Sequence, residues 1–284
     1  MWNQIKTAFL LASLSALFLF LGNLLGGYKG LWIALIISLG INFVSYFFSD
    51  SIVLNMYGAQ PLSKTEHKDI YEMVHELATT MGLPMPKLWL VQERMANAFA
   101  TGRNPAHASV AVTSGILALL NKKELRGVLA HELSHVKNRD TLTSTVAATL
   151  ATAIGFIANM VRFGAYTDDR RSRGNILFMM VVSILMPIAA SLLQMAISRS
   201  CEYGADRTGA YACKDPLALA SALEKLHTHI SVAPMASTDI KKVCTAPLFI
   251  VHPFTAGDWT ALFSTHPPVE RRIAELRAIY KELF

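Results

Sequence analysis

Cysteine is scarce in this chain, and the little it has excludes a fold built on disulfides. Among 284 residues there are three, Cys201, Cys213 and Cys244, in no spaced motif and too odd in number to pair completely. A reducing, cytoplasmic side is therefore expected for the folded part. Charge is scarce too. Asp, Glu, Lys and Arg make up 16% of the residues against 52% hydrophobic ones, a balance too apolar for an ordinary soluble protein and one that points to a membrane. The formal charge is +6, but no basic run with interleaved aromatics is present. That argues against nucleic acid and for membrane orientation and affinity for anionic lipid. Internal repeats, low-complexity tracts and linkers are also lacking.

What is abundant is uncharged apolar sequence. Residues 7–25, 31–48, 141–161 and 176–197 are each long enough to cross a bilayer as a helix. Gly26, Gly27 and Gly30 supply a short turn between the first two. The first run is too long for a signal peptide and a second follows at once, so a retained hairpin is expected. The third is rich in Thr, Ala and Gly, which suit close helix packing more than lipid contact, so a re-entrant or protein-covered hairpin stays open. The fourth carries Pro187, which a membrane helix tolerates as a kink.

Between the second and third runs lies a soluble segment. Ser63 and Glu66 have the spacing of a capping box, and Ile70, Met73, Val74, Leu77 and Met81 then recur at helical period until Gly82. Residues 87–91 and 107–113 read as strands, and a short helix is expected from there to Leu120. Asn121 and Glu124 make a second capping pair, opening a further helix.

That helix carries His131-Glu132-Leu133-Ser134-His135. Histidines four apart stack on one helical face, so both imidazoles can reach a single ion. Glu132 sits beside that ion and can act as a base on a water there, the combination that metal-assisted hydrolysis requires. A third protein ligand is needed. Six residues after His135, where metzincins place a histidine, stands Thr141, so that class is excluded. Cys201-Glu202-Tyr203-Gly204-Ala205-Asp206 offers the other common solution: Glu202 as ligand, and Asp206 one turn later as the carboxylate that orients a ligand imidazole. The insertion between His135 and Glu202 holds two crossings or none, so both residues face the same side. Lys6, Lys64, Lys122, Lys123, Arg126, Lys137, Arg139, Arg199, Arg207 and Lys214 are expected on that side, against Lys29, Arg162, Arg170, Arg171 and Arg173 on the other. The excess places the site and both termini in the cytoplasm.

With these motifs the chain resembles the HtpX-type bacterial membrane zinc endopeptidases, relatives of the CaaX-processing zinc protease family. The resemblance spans nearly the whole length: the N-terminal hairpin, Asn97-Ala98-Phe99-Ala100-Thr101-Gly102, the zinc helix, Glu202 to Asp206, and Thr265-His266-Pro267-Pro268 with Arg272. It implies a mainly α membrane protein with four transmembrane helices and a cytoplasmic α+β, zincin-like (gluzincin) protease domain. Residues 1–50 would form the hairpin, 51–140 the first part of the protease domain, 141–197 the second apolar hairpin and 198–284 the second part of the domain. One Zn2+ per chain is expected, held by His131, His135 and Glu202. Glu132 would be the general base, and His266 with Arg272 would stabilise the oxyanion. Asn97, Ala98, Phe99 and Ala100 would be an edge strand that binds substrate by β-augmentation. The implied role is quality control in the bacterial inner membrane under heat or envelope stress. Its substrates would be unfolded or damaged membrane proteins, its setting the lipid bilayer, and nucleic acid no partner.

A zinc-binding membrane adaptor or chaperone without turnover is the alternative, disfavoured because an adaptor has no need of Glu132. Proteolysis inside the bilayer is disfavoured because Lys122, Lys123, Glu124, Arg126 and Lys137 flank or lie on the zinc helix. His75-Glu76-Leu77-Ala78-Thr79 mimics the motif but ends in Thr79. His227 and His229 have the wrong spacing to share a helical face. Asp140 is expected to stabilise local structure, and Cys201 to be a packed thiol.

Overall fold

The computed structural model describes residues 2–147, 149–150, 199–232, 248–251 and 267–284. Helix α1, Trp2–Met56, is two helical segments broken at Gly27, whose φ of 54° and ψ of −142° only glycine adopts without a clash. Past the break the chain doubles back: the Asn42 side-chain amide donates to Ser15 Oγ at 2.8 Å and to the Leu11 carbonyl at 3.4 Å. The expected hairpin is therefore present. Its polarity is inverted relative to a helix in water. Ser38, Ser45 and Ser49 are buried, whereas Trp32, Ile33, Ile36, Phe43 and Phe48 are exposed. Among the described residues one helical segment, Gly26–Met56, is long and apolar enough to cross a membrane; Ile5–Phe20 is apolar but shorter.

Of the third apolar run, residues 141–147 and 149–150 are described, and they are helical. Leu142, Val146, Ala147 and Leu150 are all buried. Thr143 Oγ1 lies 2.9 Å from Thr7 Oγ1, and Thr145 Oγ1 lies 3.0 Å from Thr101 Oγ1. This part of the run is covered by protein. The rest of it and the whole fourth run, 176–197, lie outside the described residues.

The soluble part is built on a four-stranded sheet: β1 (Gln60–Pro61), β2 (Lys87–Val91), β3 (Ala98–Thr101) and β4 (Ser109–Thr113), in the order β1-β2-β4-β3. β2 and β4 run parallel, while β1 and β3 pair antiparallel with their neighbours, so β3 is an edge. β2 falls where the sequence placed it. β4 starts two residues later than expected because Asn104, whose side chain accepts from the His107 amide at 3.0 Å, caps a 3₁₀ turn over Pro105–His107.

Helix α2, Lys68–Met81, buries Ile70, Val74 and Leu77 but begins later than the Ser63–Glu66 pair suggests. Those residues instead close a turn, with the Glu66 amide 3.4 Å from Ser63 Oγ and the His67 amide on the Ser63 carbonyl. Short α3, Ser114–Leu119, leads into α4, Lys122–Asn138, where both halves of the expected capping box form. Glu124 Oε2 accepts from the Asn121 amide at 2.9 Å and Asn121 Oδ1 from the Glu124 amide at 3.0 Å. The described residues continue with α5 (Arg199–Cys213), α6 (Pro216–Val232) and α7 (Val269–Leu283). Helix α4 is the centre of the core, packing Val128, Leu129 and Leu133 with Leu77, Leu219, Leu223 and Leu276, all of them fully buried.

Candidate active site

Helix α4 presents His131, Glu132 and His135, and α5 crosses it closely enough to add Glu202. The crossing is close because Gly209 faces the α4 backbone: a Cβ there would sit 2.9 Å from the His131 nitrogen. The two Nε2 atoms are 3.1 Å apart, Glu202 Oε1 lies 3.6 Å from Nε2 of His135, and Glu202 Oε2 lies 3.8 Å from Nε2 of His131. Each imidazole turns its other nitrogen to a carboxylate. His131 Nδ1 is 2.9 Å from Asp206 Oδ1, and His135 Nδ1 is 3.1 Å from Asp140 Oδ2. With a proton on Nδ1 facing the carboxylate in each ring, the two Nε2 lone pairs would face one another beside the Glu202 carboxylate. Only a cation or a shared proton makes that arrangement favourable. Ligands about 2.1 Å from a tetrahedral zinc lie about 3.4 Å apart, and the observed separations bracket that value. The residues fit a metal of this kind, and His131, His135 and Glu202 are the set that could hold it.

The same geometry explains the electrostatics. Burial pushes the Glu132 carboxyl up to about 8, with the nearby His135 and the Ala100 amide opposing that rise and Glu202 adding to it. Burial disfavours charge on His135, but Asp140, Glu202 and Glu132 outweigh it and hold its pKa up at about 10. At His131, burial prevails and lowers the pKa despite Asp206. Burial also works against the charge of Asp206, but Arg272 and His131 overcome it and keep this group ionised below the ordinary carboxylate range.

Asp140 was expected to have a structural role only. The sequence signal was weak: it follows the left-handed residue Arg139 that ends α4, and no helical spacing relates it to His135. Arg272 also differs from expectation. It is 0% exposed, donates from Nε and Nη2 to Asp206 at 2.7 Å each and from Nη1 to the Ile250 carbonyl at 2.7 Å, and sets Nη2 3.4 Å from Nε2 of His131. Nη1 is also 3.3 Å from Glu202 Oε2. Its guanidinium is thus held against Asp206, Glu202 and His131. His266, its expected partner, lies outside the described residues.

The cavity at the cluster is lined by His131, Glu132, His135, Asp140 and Glu202 together with Phe99, Ala100 and Leu248 to Ile250. Phe99 and Ala100 of β3 border it, and the Ala100 amide donates to Glu132 Oε2 at 2.9 Å. The Asn97 side chain is turned away from the cavity, its Nδ2 to the Leu248 carbonyl at 3.5 Å and its Oδ1 accepting from the Ile250 amide at 3.1 Å. His75 and His227 are exposed, consistent with setting them aside. Cys201 is a free, partly buried thiol at the cavity wall.

The family model for peptidase family M48 matches residues 64–280, a span that contains every element of this cluster. The chain belongs to peptidase family M48. Two relatives, each a "Protease HtpX homolog", from Paraburkholderia phytofirmans and Burkholderia thailandensis, are 50% identical to this M48 peptidase over 276 residues, 97% of this chain and 96% of theirs. Among solved structures, S. mikatae Ste24p shares the fold, with a TM-score of 0.51 and 18% identity over 96% of this chain; the match spans 65% of that longer protein. The chain is thus a metalloprotease acting on protein substrates, and the adaptor alternative gives way to the enzyme.

Proposed function

We propose that this M48 peptidase is a zinc endopeptidase of the bacterial inner membrane. It cuts cytoplasmic loops or unfolded segments of membrane proteins and serves their quality control under stress. The observation that carries the chemistry is the convergence of His131, His135 and Glu202 beside Glu132 at a cavity bordered by an edge strand. Zinc held there supplies Lewis acidity, polarising a peptide carbonyl and making a water acidic near neutral pH. Glu132 takes the proton of the attacking water and delivers it to the leaving amine. The Ala100 amide fixes one Glu132 oxygen, and Asp140 and Asp206 fix the imidazoles. Arg272 acts as a positioning residue through Asp206, and His266 is the group proposed to stabilise the oxyanion. The outward edge of Asn97 to Ala100 pairs with the extended substrate chain, the Ala100 amide staying on Glu132.

The membrane reading is supported by the inverted polarity of α1, whose exposed apolar face suits lipid rather than water. Four crossings, with residues 1–50 and 141–197 as the two hairpins and 51–140 with 198–284 as the cytoplasmic protease domain, are part of the same proposal. So is the lipid bilayer as the enzyme's working surface.

The test is cleavage of an unfolded casein-like substrate by the full-length protein purified in detergent, with and without zinc. Glu132→Gln keeps size and hydrogen bonding but not the base. It should bind zinc normally and lose on the order of 10²–10⁴ in rate. Full activity in this variant would require another residue to take the proton and would end the mechanism above.

A further inference from the structure

We propose that Arg103 is an anionic-lipid site, its guanidinium binding the phosphate of a lipid headgroup at the membrane surface. The inference rests on the membrane reading above and deepens it, from a general bilayer setting to one class of lipid held at one residue.

The second segment of α1 fixes where the hydrocarbon ends. Between Lys29 and Asp50 there is no charged residue, a run about 30 Å long as a helix and enough to cross the bilayer core once. Phe47 stands on the last turn of that run, so its ring lies where hydrocarbon gives way to headgroups. It is exposed on the apolar face of α1 with Phe43 and Phe48. Tyr46, its ring centroid 5.0 Å from that of Phe47, is of the type that gathers at membrane boundaries. The hairpin is antiparallel, as the bonds from Asn42 to Leu11 and Ser15 show, so Lys6 comes to the same end.

Arg103 reaches this level from the protease domain. Its guanidinium lies over the Phe47 ring, 5.6 Å from the centroid, within the range of a cation–π contact. The loop that carries it is preformed. Thr141 Oγ1 donates to the Gly102 carbonyl at 3.1 Å, and Gly102 has a φ of 128°, where a Cβ would collide with the His107 carbonyl. Asn104 Oδ1 then closes the loop, accepting from the His107 amide at 3.0 Å and lying 2.8 Å from His107 Nδ1. Stacking occupies the flat face of a guanidinium and leaves its N–H edges free. Among the described residues no carboxylate pairs with Arg103. Asp50, the single acid of α1, accepts from the Ser51 amide at 2.8 Å instead. A cation held at the rim of the hydrocarbon without a counter-charge favours an anion at that depth, and a phosphodiester matches the guanidinium fork. A zwitterionic headgroup brings its own ammonium to the phosphate, whereas an anionic one leaves the charge for Arg103. Because Arg103 follows the end of β3 by two residues, the bound headgroup holds the substrate strand at the membrane surface.

The experiment titrates the full-length protein, stripped of lipid in a neutral detergent, with phosphatidylglycerol or with phosphatidylcholine of the same chains, and counts retained lipids by native mass spectrometry. Wild type should bind phosphatidylglycerol about 10-fold more tightly, the worth of one charge-assisted contact. Arg103→Gln should lose most of that preference, and Arg277→Gln, which removes an exposed charge from α7, should keep it. Phe47→Leu, which leaves the lipid-facing side apolar but takes away the ring, should give an intermediate value, and it decides the matter if Arg103→Gln does not fold. Equal affinity of wild type for the two lipids, or an undiminished preference in the folded Arg103 and Phe47 variants, would overturn the site. So would an equal loss in Arg277→Gln, which would mark a general effect of charge, or displacement of the lipid by inorganic phosphate, which would assign Arg103 to free phosphate. Each of those results leaves the membrane reading intact. A protein that stays dispersed without detergent and retains neither lipid would overturn the membrane reading itself, and the site with it.

Discussion

Behind each imidazole of the metal cluster stands a carboxylate, and the two carboxylates are held very differently. Asp206 is clamped by a forked Arg272 and is fully buried, whereas Asp140 hangs from the turn after α4, 3.1 Å from His135. His131, Glu132, His135 and Glu202 were legible in the sequence because helical spacing stacks the two histidines, Glu132 follows the first of them beside the site, and the ExxxD pattern flags Glu202. Asp140 was not, because its approach depends on the left-handed turn at Arg139, which no periodicity encodes. Spacing alone does not reveal that the Arg272 guanidinium is buried against Asp206 while also reaching His131 and Glu202. The proposed site makes a graded prediction. Asp140→Ala should weaken zinc binding by about 10–100-fold, the usual effect of losing a carboxylate behind a ligand histidine, as read by competition with a chelator of known affinity. Glu202→Ala removes a direct ligand and should leave the purified protein essentially zinc-free by metal analysis, whereas exposed Glu224→Ala should load fully. Wild-type affinity in Asp140→Ala would return Asp140 to a helix-end role, and full zinc in Glu202→Ala would remove Glu202 from the ligand set.

The site's precision comes from how closely α4 is approached by its neighbours. Gly209 of α5 faces the backbone at Ala130 and His131, and Gly127 of α4 faces Leu219 of α6, where a Cβ would lie 3.0 Å from the Leu219 backbone. The start of α4 could be read from Asn121 and Glu124 because a capping box has a fixed spacing. The start of α2 could not, because Ser63 and Glu66 satisfy the same spacing within an ordinary turn. β1, two residues long, carries no period at all. Helix crossings leave no local signature either, and the two glycines give them away only once the helices are seen together. Gly209→Ala and Gly204→Ala separate propensity from packing on one helix. Alanine favours a helix by about 1 kcal/mol over glycine, and a Cβ at Gly204 meets nothing within 4 Å, so Gly204→Ala should hold or raise the melting temperature. Gly209→Ala adds a methyl against backbone, with overpacking costing about 1–3 kcal/mol. It should lower the melting temperature and, by pushing Glu202 away from His131, weaken zinc binding. Equal behaviour of the two variants would show that the α4–α5 contact does not set the ligand geometry.

At the scale of the whole molecule, the catalytic cluster is tied to the hairpin through a run of threonines. Thr141 bonds the Gly102 carbonyl just past the edge strand, Thr145 meets Thr101, and Thr143 meets Thr7 in the first hairpin segment. The cavity is thus anchored beside the apolar helices, which is where a peptidase that meets its substrates at a membrane surface needs it. In the proposed topology the turn around Gly27 faces away from the cytoplasm, and Lys122 at the start of α4 faces into it. The charge distribution supports that orientation, since Lys and Arg gather on the side of α4. Single cysteines test it directly, in a background with Cys201, Cys213 and Cys244 changed to Ser. Lys29→Cys should react in intact spheroplasts with a maleimide that cannot cross the membrane. Lys122→Cys, an exposed position whose lysine pairs with Asp69 at 3.2 Å, should react only after lysis. Both sites should become reactive in detergent, which guards against a buried thiol being mistaken for a cytoplasmic one. The reverse pattern would put the active site outside the cytoplasm, and the proposed substrates would then have to be periplasmic segments.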